Sequence, residues 1–189
     1  MHELDRIEQA LASKRLDHNL FERCAQDLLI EVYPGLSPIP GGTDWGSDAD
    51  IHRGEAVPTR LLATSSRTLK GVRANMARGI ASMKQHGKPF DRIVLANCGQ
   101  LSQLQRNSLS ESARKKRATI DAVYDRGFFA SRLRRDGEWR SRLLGLSADP
   151  ITLSRVPSDL AESPWAELPL LGRDRELGEI GRASCRERV

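Results

Sequence analysis

The sequence lacks the features that would place it in a membrane or in a disulfide-linked secreted class. Its longest apolar runs, such as IVLA and RLLA, are far too short to span a bilayer. The charged N-terminus has no apolar core of the kind found in a secretory signal. The three cysteines, Cys24, Cys98 and Cys185, form no closely spaced pair. We therefore expect a soluble protein of the reducing cytoplasm with no membrane partner.

Common catalytic motifs are missing as well. The sequence has no GxxxxGK[ST] phosphate-binding loop, no zinc-binding HExxH and no GxSxG around a nucleophilic serine. Its four histidines are scattered along the chain, which is typical of surface residues, and only His52 follows a carboxylate, Asp50, on one predicted strand. Any catalytic site must therefore be built from a less common arrangement of residues.

What the sequence does contain is enough apolar residues for one ordinary domain. The chain has 189 residues, of which 39% are hydrophobic and 29% are charged, as in globular proteins. Apolar residues recur at helical spacing in residues 4–15, 18–36 and 67–87. Between the second and third of these helices, residues 47–52 and 59–66 are predicted to form a β-hairpin.

Strands and helices alternate in the part of the chain that follows. Residues 91–98 and 119–125 are apolar runs typical of strands buried on both faces. Residues 101–118 and 127–145 are each predicted as a single helix. Such alternation predicts parallel strands with helices packed on the faces of the sheet. After residue 145, repeated prolines without periodicity indicate a linker.

The stretch GGTDWGSDADI, residues 41–51, places Asp44, Asp48 and Asp50 among glycines. Asp48 and Asp50 lie two residues apart, so on a strand both side chains leave from one face. Adjacent carboxylates of this kind are ligands for Mg²⁺ or Mn²⁺. An EF-hand loop starting at Asp44 fails at its sixth position, which requires glycine and holds Ala49. The alternative is a polar turn, because glycine and aspartate are common turn residues.

Positive charge is concentrated in one part of the chain. Residues 104–142 contain eleven Arg and Lys against five Asp and Glu, a net charge of +6. Such a surface is typical of contact with nucleic-acid phosphates, and a solvated helix face is the alternative. Upstream, ATSSR ends a strand and opens a helix, where Ser65 or Ser66 is the predicted N-cap and the helix N-terminus favours an anion.

The order of these features resembles the restriction-endonuclease-like, or PD-(D/E)XK, fold. More narrowly, the chain is similar to the domain that precedes STAND-type NTPase modules in bacteria. The stretches that carry the resemblance are GGTDWGSDADI, LLATSSRTLKGVRANM, RIVLANCGQLS, VYDRGFFASRLRRDGEWRSRLLGL and LLGRDREL, which together cover nearly all of residues 17–178. The resemblance implies an α/β three-layer sandwich, with a mixed central sheet and helices on both faces.

The resemblance also implies a metal-dependent nuclease. Such enzymes use an acidic residue at the end of the hairpin's first strand, then a second acid and a lysine on the next strand. Asp48 matches the first acid, but Ala63-Thr64-Ser65 stands where (D/E)-x-K belongs. The catalytic residues so implied are Asp48, Asp50, Thr64 and Lys70, and the ligands of Mg²⁺ or Mn²⁺ are Asp48, Asp50 and Asp44.

Nucleic acid is the partner that this reading predicts. The residues expected to contact DNA, or RNA, are Arg67, Lys70, Arg73, Arg114, Lys115, Lys116 and Arg117. The chain would act as the DNA-cleaving effector of a larger NTPase in anti-phage defence or signalling, with the NTPase domain and a second copy of the chain as further partners. Because the second acid is missing, the competing hypothesis is a catalytically inactive module that binds nucleic acid or docks a protein. A third hypothesis is a domain that only assembles the NTPase.

Four regions are expected along the chain. Residues 1–148 form the restriction-endonuclease-like domain and residues 149–171 a proline-rich linker. Residues 172–178 are the start of a truncated NTPase domain, because GRDREL resembles the segment before its phosphate-binding loop. Residues 179–189, EIGRASCRERV, resemble one reading frame of a widely used sequencing adapter. We expect that tail to be an artefact and the natural protein to be longer.

Overall fold

The computed structural model describes residues 2–13, 15–39 and 46–147, which form six helices and five strands. In chain order these are α1 (Glu3–Ser13), α2 (His18–Ile30), β1 (Leu36–Pro38), β2 (Ala49–Ile51), β3 (Thr59–Thr64), α3 (Leu69–Gln85), β4 (Arg92–Asn97), α4 (Gln103–Arg114), β5 (Thr119–Tyr124), α5 (Arg126–Arg135) and α6 (Gly137–Leu144). The linker, NTPase and adapter predictions for residues 149–189 lie outside the described residues.

The five strands form one mixed sheet in the order β1-β2-β3-β4-β5. β2 pairs antiparallel with both β1 and β3, and Asp50 lies opposite Arg60 in the β2–β3 pair. The last three strands are parallel, so Thr64 of β3 lies beside Asn97 of β4 at the carboxyl end. The predicted hairpin and the predicted parallel strands are therefore both confirmed. The chain is an α/β protein, and the restriction-endonuclease-like form of this architecture stays a prediction.

Each face of the sheet has its own apolar core because side chains alternate along a strand. Leu61 and Ala63 of β3 pack with α1, α2, α5 and α6. Leu62, the residue between them, packs with α3 and α4 on the opposite face. Helices therefore cover both faces of the sheet, as the alternation of strands and helices in the sequence predicts.

The helices are held by the apolar stripes that identify them in the sequence. In α3, Val72, Met76 and Ile80 are buried, at the spacing that brings them to one face of the helix. In α2, Phe21 and Leu28 are buried in the same way. No helix in the described residues combines the length and the apolar composition needed to cross a membrane.

Local predictions near helix ends are wrong in two places. The predicted single helix over residues 127–145 is two helices, because Asp136 takes an extended backbone conformation and its side chain caps α6 at Trp139 N. The N-cap of α3 is Thr68 rather than Ser65 or Ser66, and its hydroxyl oxygen accepts a hydrogen bond from Gly71 N at 3.1 Å. In both cases several capping residues compete, and packing of the helix selects one.

The prediction that β5 is buried on both faces is also wrong. β5 lies at an end of the sheet, and none of its six residues is fully buried. Its apolar residues, Ile120, Ala122 and Val123, are partly buried against the two cores. An apolar run alone does not distinguish an edge strand from a central one, because strand order depends on tertiary pairing.

Two glycines bring the loop before β2 into direct contact with α3. Gly46 has a φ of 87°, which favours glycine, and a Cβ there would lie 2.8 Å from Gly79 O. A Cβ on Gly79 would in turn lie 2.7 Å from Gly46 O and 3.0 Å from Leu62 Cδ2. The backbones therefore approach too closely for any side chain at either position, and this contact fixes where the acidic stretch meets the helix.

We expect Gly79→Ala to lower the free energy of unfolding by about 1–3 kcal/mol, although alanine favours the helix. The reason is the clash between the new Cβ and Gly46 O. The measurement is urea denaturation of the full chain. Gly127→Ala in α5 is the control, because a Cβ there meets only Asp125 Oδ1 at 3.7 Å. Equal stabilities for the two variants would contradict the close contact.

Candidate functional site

Asp48 lies immediately before β2 and is bound to both neighbouring strands. Its N–H donates to Leu61 O at 2.9 Å, and its carbonyl accepts from Ile39 N at 3.0 Å and Gln26 Nε2 at 2.8 Å. Its carboxylate Oδ2 accepts a hydrogen bond from Ala63 N at 2.5 Å. Asp48 thus extends the hydrogen bonding between β2 and β3 by one residue before the start of β2. Its carboxylate is held in a defined position beside β3.

Asp50, the second predicted metal ligand, forms an ion pair with Arg60 directly across the β2–β3 hairpin. Arg60 is only 3% exposed, and its guanidinium also donates to Pro89 O at 2.9 Å and 3.2 Å. Removing a buried guanidinium from water requires a compensating charge, which Asp50 supplies. The structure therefore gives Asp50 a stabilising contact within the hairpin.

Asp48 lines a cavity of about 190 Å³ beside α2 and α3, which we call the acidic cavity. Its lining residues are His18, Glu22, Gly46, Asp48, Leu62, Asn75, Arg78, Gly79 and Ser82. Glu22, which sequence reasoning missed, brings a second carboxylate, and its Oε1 lies 3.0 Å from His18 Nε2. The only signal for Glu22 in the sequence was its i,i+4 spacing from His18, because nothing there indicates that α2 approaches Asp48.

The acidic cavity offers two carboxylates to a cation. No group of three or more His, Cys, Asp and Glu residues in the described ranges is arranged to hold a metal ion. Mg²⁺, however, commonly binds through one or two carboxylates, with water and substrate phosphate completing its shell. Asp48 and Glu22 fit that donor set. Asp44, the third predicted ligand, lies in residues 40–45, outside the described part of the chain.

Thr64 and Lys70 do not line the acidic cavity. Thr64 is buried at the end of β3, where its hydroxyl oxygen accepts a hydrogen bond from Ser66 N at 3.2 Å. Lys70 is exposed in the first turn of α3. The charged group that α3 brings to the cavity is Arg78, more than two turns further along the helix. Arg78 is therefore the cation of α3 that lines the cavity, and the role of Lys70 stays a prediction.

A larger cavity of about 660 Å³, the basic cavity, lies where the α1–α2 connection meets the segment between β3 and α3. Its lining residues are Ser13, Arg15, Leu16, Asp17, His18, Ser65, Arg67 and Thr68. Arg67 donates to Ser13 O at 3.5 Å, and its Nε is buried without a hydrogen-bond partner in the described structure. His18 lines both cavities, which are therefore adjacent.

The remaining residues predicted to contact nucleic acid are divided between two parts of the domain. Arg73 lies between α3 and α4, where its Nη2 donates to Ser108 Oγ at 2.8 Å. Arg114, Lys115, Lys116 and Arg117 end α4 and precede β5, so they lie at the amino end of the parallel strands. Arg67 follows the carboxyl end of β3, which is about 17 Å away along a six-residue strand. The two basic groups are at opposite ends of the sheet.

Several arginines of the positively charged segment 104–142 are neutralised within the fold. Asp125, which is 8% exposed, accepts from Arg106 Nη2 at 2.6 Å and from Leu101 N at 3.3 Å, which attaches the start of α4 to the end of β5. Other arginines of this segment pair as follows: Arg132 with Glu31, Arg134 and Arg140 with Glu3, and Arg142 with Glu138. Several of these arginines are therefore engaged in ion pairs within the domain, which the sequence count could not reveal.

The two cysteines of the described structure are buried free thiols. Burial raises the pKa of Cys24 and the pKa of Cys98. Cys98 Sγ donates to Ser65 O at 2.7 Å, and the nearby Arg67 charge only partly offsets the effect of burial on its pKa. Because the thiolate is the reactive form, neither thiol is prepared for covalent catalysis.

Comparison with protein-family models, with curated proteins and with solved structures finds no match to the chain. The two adjacent cavities and the residues that line them are therefore the features from which a function can be inferred.

We expect Asp50→Asn to lower the free energy of unfolding by about 1–3 kcal/mol, because the buried Arg60 guanidinium loses its counter-charge. Thermal or urea denaturation of the full chain measures the change. The matched control is Asp91→Asn, since Asp91 is exposed in the turn before β4 and its substitution should alter stability by less than about 0.5 kcal/mol. If Asp50→Asn changes the free energy of unfolding no more than the control does, the Asp50–Arg60 pair is not stabilising.

Proposed function

We propose that this domain is a metal-dependent nuclease that hydrolyses phosphodiester bonds in DNA, with its reaction centre in the acidic cavity. The observation that carries the proposal is that Asp48 and Glu22 line one small cavity together with Arg78. Two carboxylates bind a divalent cation, and a guanidinium binds phosphate oxygens. A donor set with both features is suited to a phosphodiester and its metal ion.

Within this proposal each residue has a defined task. Asp48 and Glu22 hold Mg²⁺ or Mn²⁺, and the hydrogen bond from Ala63 N to Asp48 Oδ2 keeps the first carboxylate in position. The bound cation would supply an activated water and would stabilise charge on the phosphate. Arg78 would contact a non-bridging phosphate oxygen, which is the contribution expected of the lysine missing from β3. His18, 3.0 Å from Glu22, orients that carboxylate.

The order of the elements supports the same proposal. Two helices, a three-stranded antiparallel segment, a helix and a parallel strand follow one another as in the restriction-endonuclease-like fold that the sequence resembles. Asp48 lies immediately before β2, the first strand of the hairpin, and is hydrogen-bonded to β3. Action as the effector of a defence-type NTPase rests on the sequence LLGRDREL, in residues 170–177, which are outside the described structure.

A second candidate function is a catalytically inactive module that binds nucleic acid. It is favoured by the Asp50–Arg60 ion pair, which occupies one of the predicted metal ligands, and by the absence of a carboxylate on β3. Such a module would use the basic cavity without a metal. The nuclease requires Mg²⁺ and Asp48 for its activity, whereas the inactive module requires neither for binding.

We expect the full chain to nick supercoiled plasmid in Mg²⁺ or Mn²⁺, and Asp48→Asn and Glu22→Gln each to reduce the rate about 10–100-fold. Asparagine retains an oxygen that accepts from Ala63 N, so the first variant should fold normally. Glu55→Gln is the control, because Glu55 is exposed in the β2–β3 turn and does not line the cavity. The measurement is the fraction of open-circular plasmid against time.

Metal-dependent nicking that persists unchanged in both variants would place the reaction centre elsewhere. If no protein nicks the plasmid while DNA binding is the same with and without metal, the inactive module is the better description.

A further inference from the structure

We infer that the basic cavity is a binding site for a phosphate of the DNA backbone, next to the phosphodiester that enters the acidic cavity. The inference rests on the proposed function, because it assigns the contact that holds the same strand. The two cavities are adjacent and share His18. A single polynucleotide strand lying across α2 at this residue would place neighbouring phosphates in the two cavities.

The charge of the lining favours an anion. The lining contains two arginines, Arg15 and Arg67, and one carboxylate, Asp17. Asp17 is engaged as the N-cap of α2, where its Oδ1 accepts from Leu20 N at 2.8 Å. The N–H of Gly71 in α3 is likewise satisfied by the Thr68 hydroxyl oxygen. Attraction for a phosphate therefore comes mainly from the two arginines rather than from exposed helix ends.

Arg67 has hydrogen-bond donors to spare at this position. The contact of its Nη1 with Ser13 O is long, at 3.5 Å, and the guanidinium also lies against the Cys98 thiol. Arg15 is exposed and makes no hydrogen bond or ion pair with the described residues. A guanidinium presents a planar set of donors that matches two phosphate oxygens. A phosphate between these side chains would accept hydrogen bonds from guanidinium N–H groups that are not used within the described structure.

Hydroxyl groups complete the lining. Thr68 uses its oxygen to accept from Gly71 N, so its hydroxyl hydrogen can be donated to a ligand. The Ser65 side chain lies in the same wall, while its carbonyl is occupied by Cys98. Serine and threonine hydroxyls are common donors to backbone phosphates in protein–DNA complexes.

The lining also indicates which part of the polymer is bound. No Phe, Tyr or Trp lines the cavity in the described structure, so it has no aromatic ring of these types on which a base would stack. Contacts from arginine and hydroxyl groups position a backbone but do not read base edges. The expected binding is therefore independent of base sequence and decreases as salt concentration increases.

The test is fluorescence anisotropy of a short fluorescein-labelled DNA duplex with the full chain, over a series of salt concentrations in EDTA. Arg15→Gln and Arg67→Gln should each weaken binding and reduce the slope of log affinity against log salt by about 1. Lys84→Gln is the charge-matched control, because Lys84 is exposed in the last turn of α3 and lines neither cavity. It should leave the salt slope nearly unchanged.

Arg15→Gln is the decisive variant, because Arg15 is exposed and its substitution removes no hydrogen bond or ion pair with the described residues. Wild-type affinity and salt slope in Arg15→Gln would overturn the inference, as would an equal loss in Lys84→Gln. A second arm adds inorganic phosphate at constant ionic strength. Displacement of DNA by phosphate from the wild type but not from the arginine variants is expected if both ligands use the basic cavity, and equal displacement from all the proteins would overturn the inference.

The EDTA condition separates this inference from the nuclease proposal. Arginine-dependent binding without any plasmid nicking would leave the phosphate site standing and remove only the hydrolytic function. If nicking depends on Asp48 while neither nicking nor DNA binding changes in the Arg15 and Arg67 variants, the nuclease proposal would be supported and the phosphate site would be excluded.

Discussion

The hydrogen bonds between Asp48 and β3 are the interaction on which the candidate site depends. Its N–H and its carboxylate join Leu61 O and Ala63 N, so the chain entering β2 is fastened to the central part of the sheet. On the other side, the Gly46–Gly79 contact brings the same segment against α3. The acidic cavity exists between these two attachments, and α2 closes it with His18 and Glu22.

Electrostatic interactions divide the charged residues into two groups. Arg60 and Arg106 are paired with Asp50 and Asp125, and these contacts stabilise the hairpin and the junction of α4 with β5. A partly buried guanidinium that has a carboxylate partner is not free to bind a second anion at low cost. Arg15 and Arg67 have no such partner in the described residues, and they line the larger cavity. Function is therefore better sought among the uncompensated cations than in the region of highest charge density.

Local patterns of apolar residues predicted most of the helices and strands. Predictions that required a choice between similar local signals, such as alternative N-caps, were wrong. The helical stripe of α3 and the β2–β3 hairpin depend on local periodicity, so the sequence predicted both. The division at Asp136 and the cap at Thr68 depend on which of several capping residues is selected by packing. The edge position of β5 depends on strand order, which no local pattern contains.

By itself, the sequence determined the α/β class and the direction of the strands, because both follow from residue type and spacing along the chain, and the role of Asp48 stays a prediction. Only the tertiary structure decided that Asp50 is neutralised by Arg60, that Glu22 and Arg78 join Asp48, and that Arg15 and Arg67 form a second cavity beside them. These residues belong to different elements, far apart in the chain. Their proximity results from the packing of α2 and α3 against the sheet, which cannot be predicted from the spacing of residues along the chain.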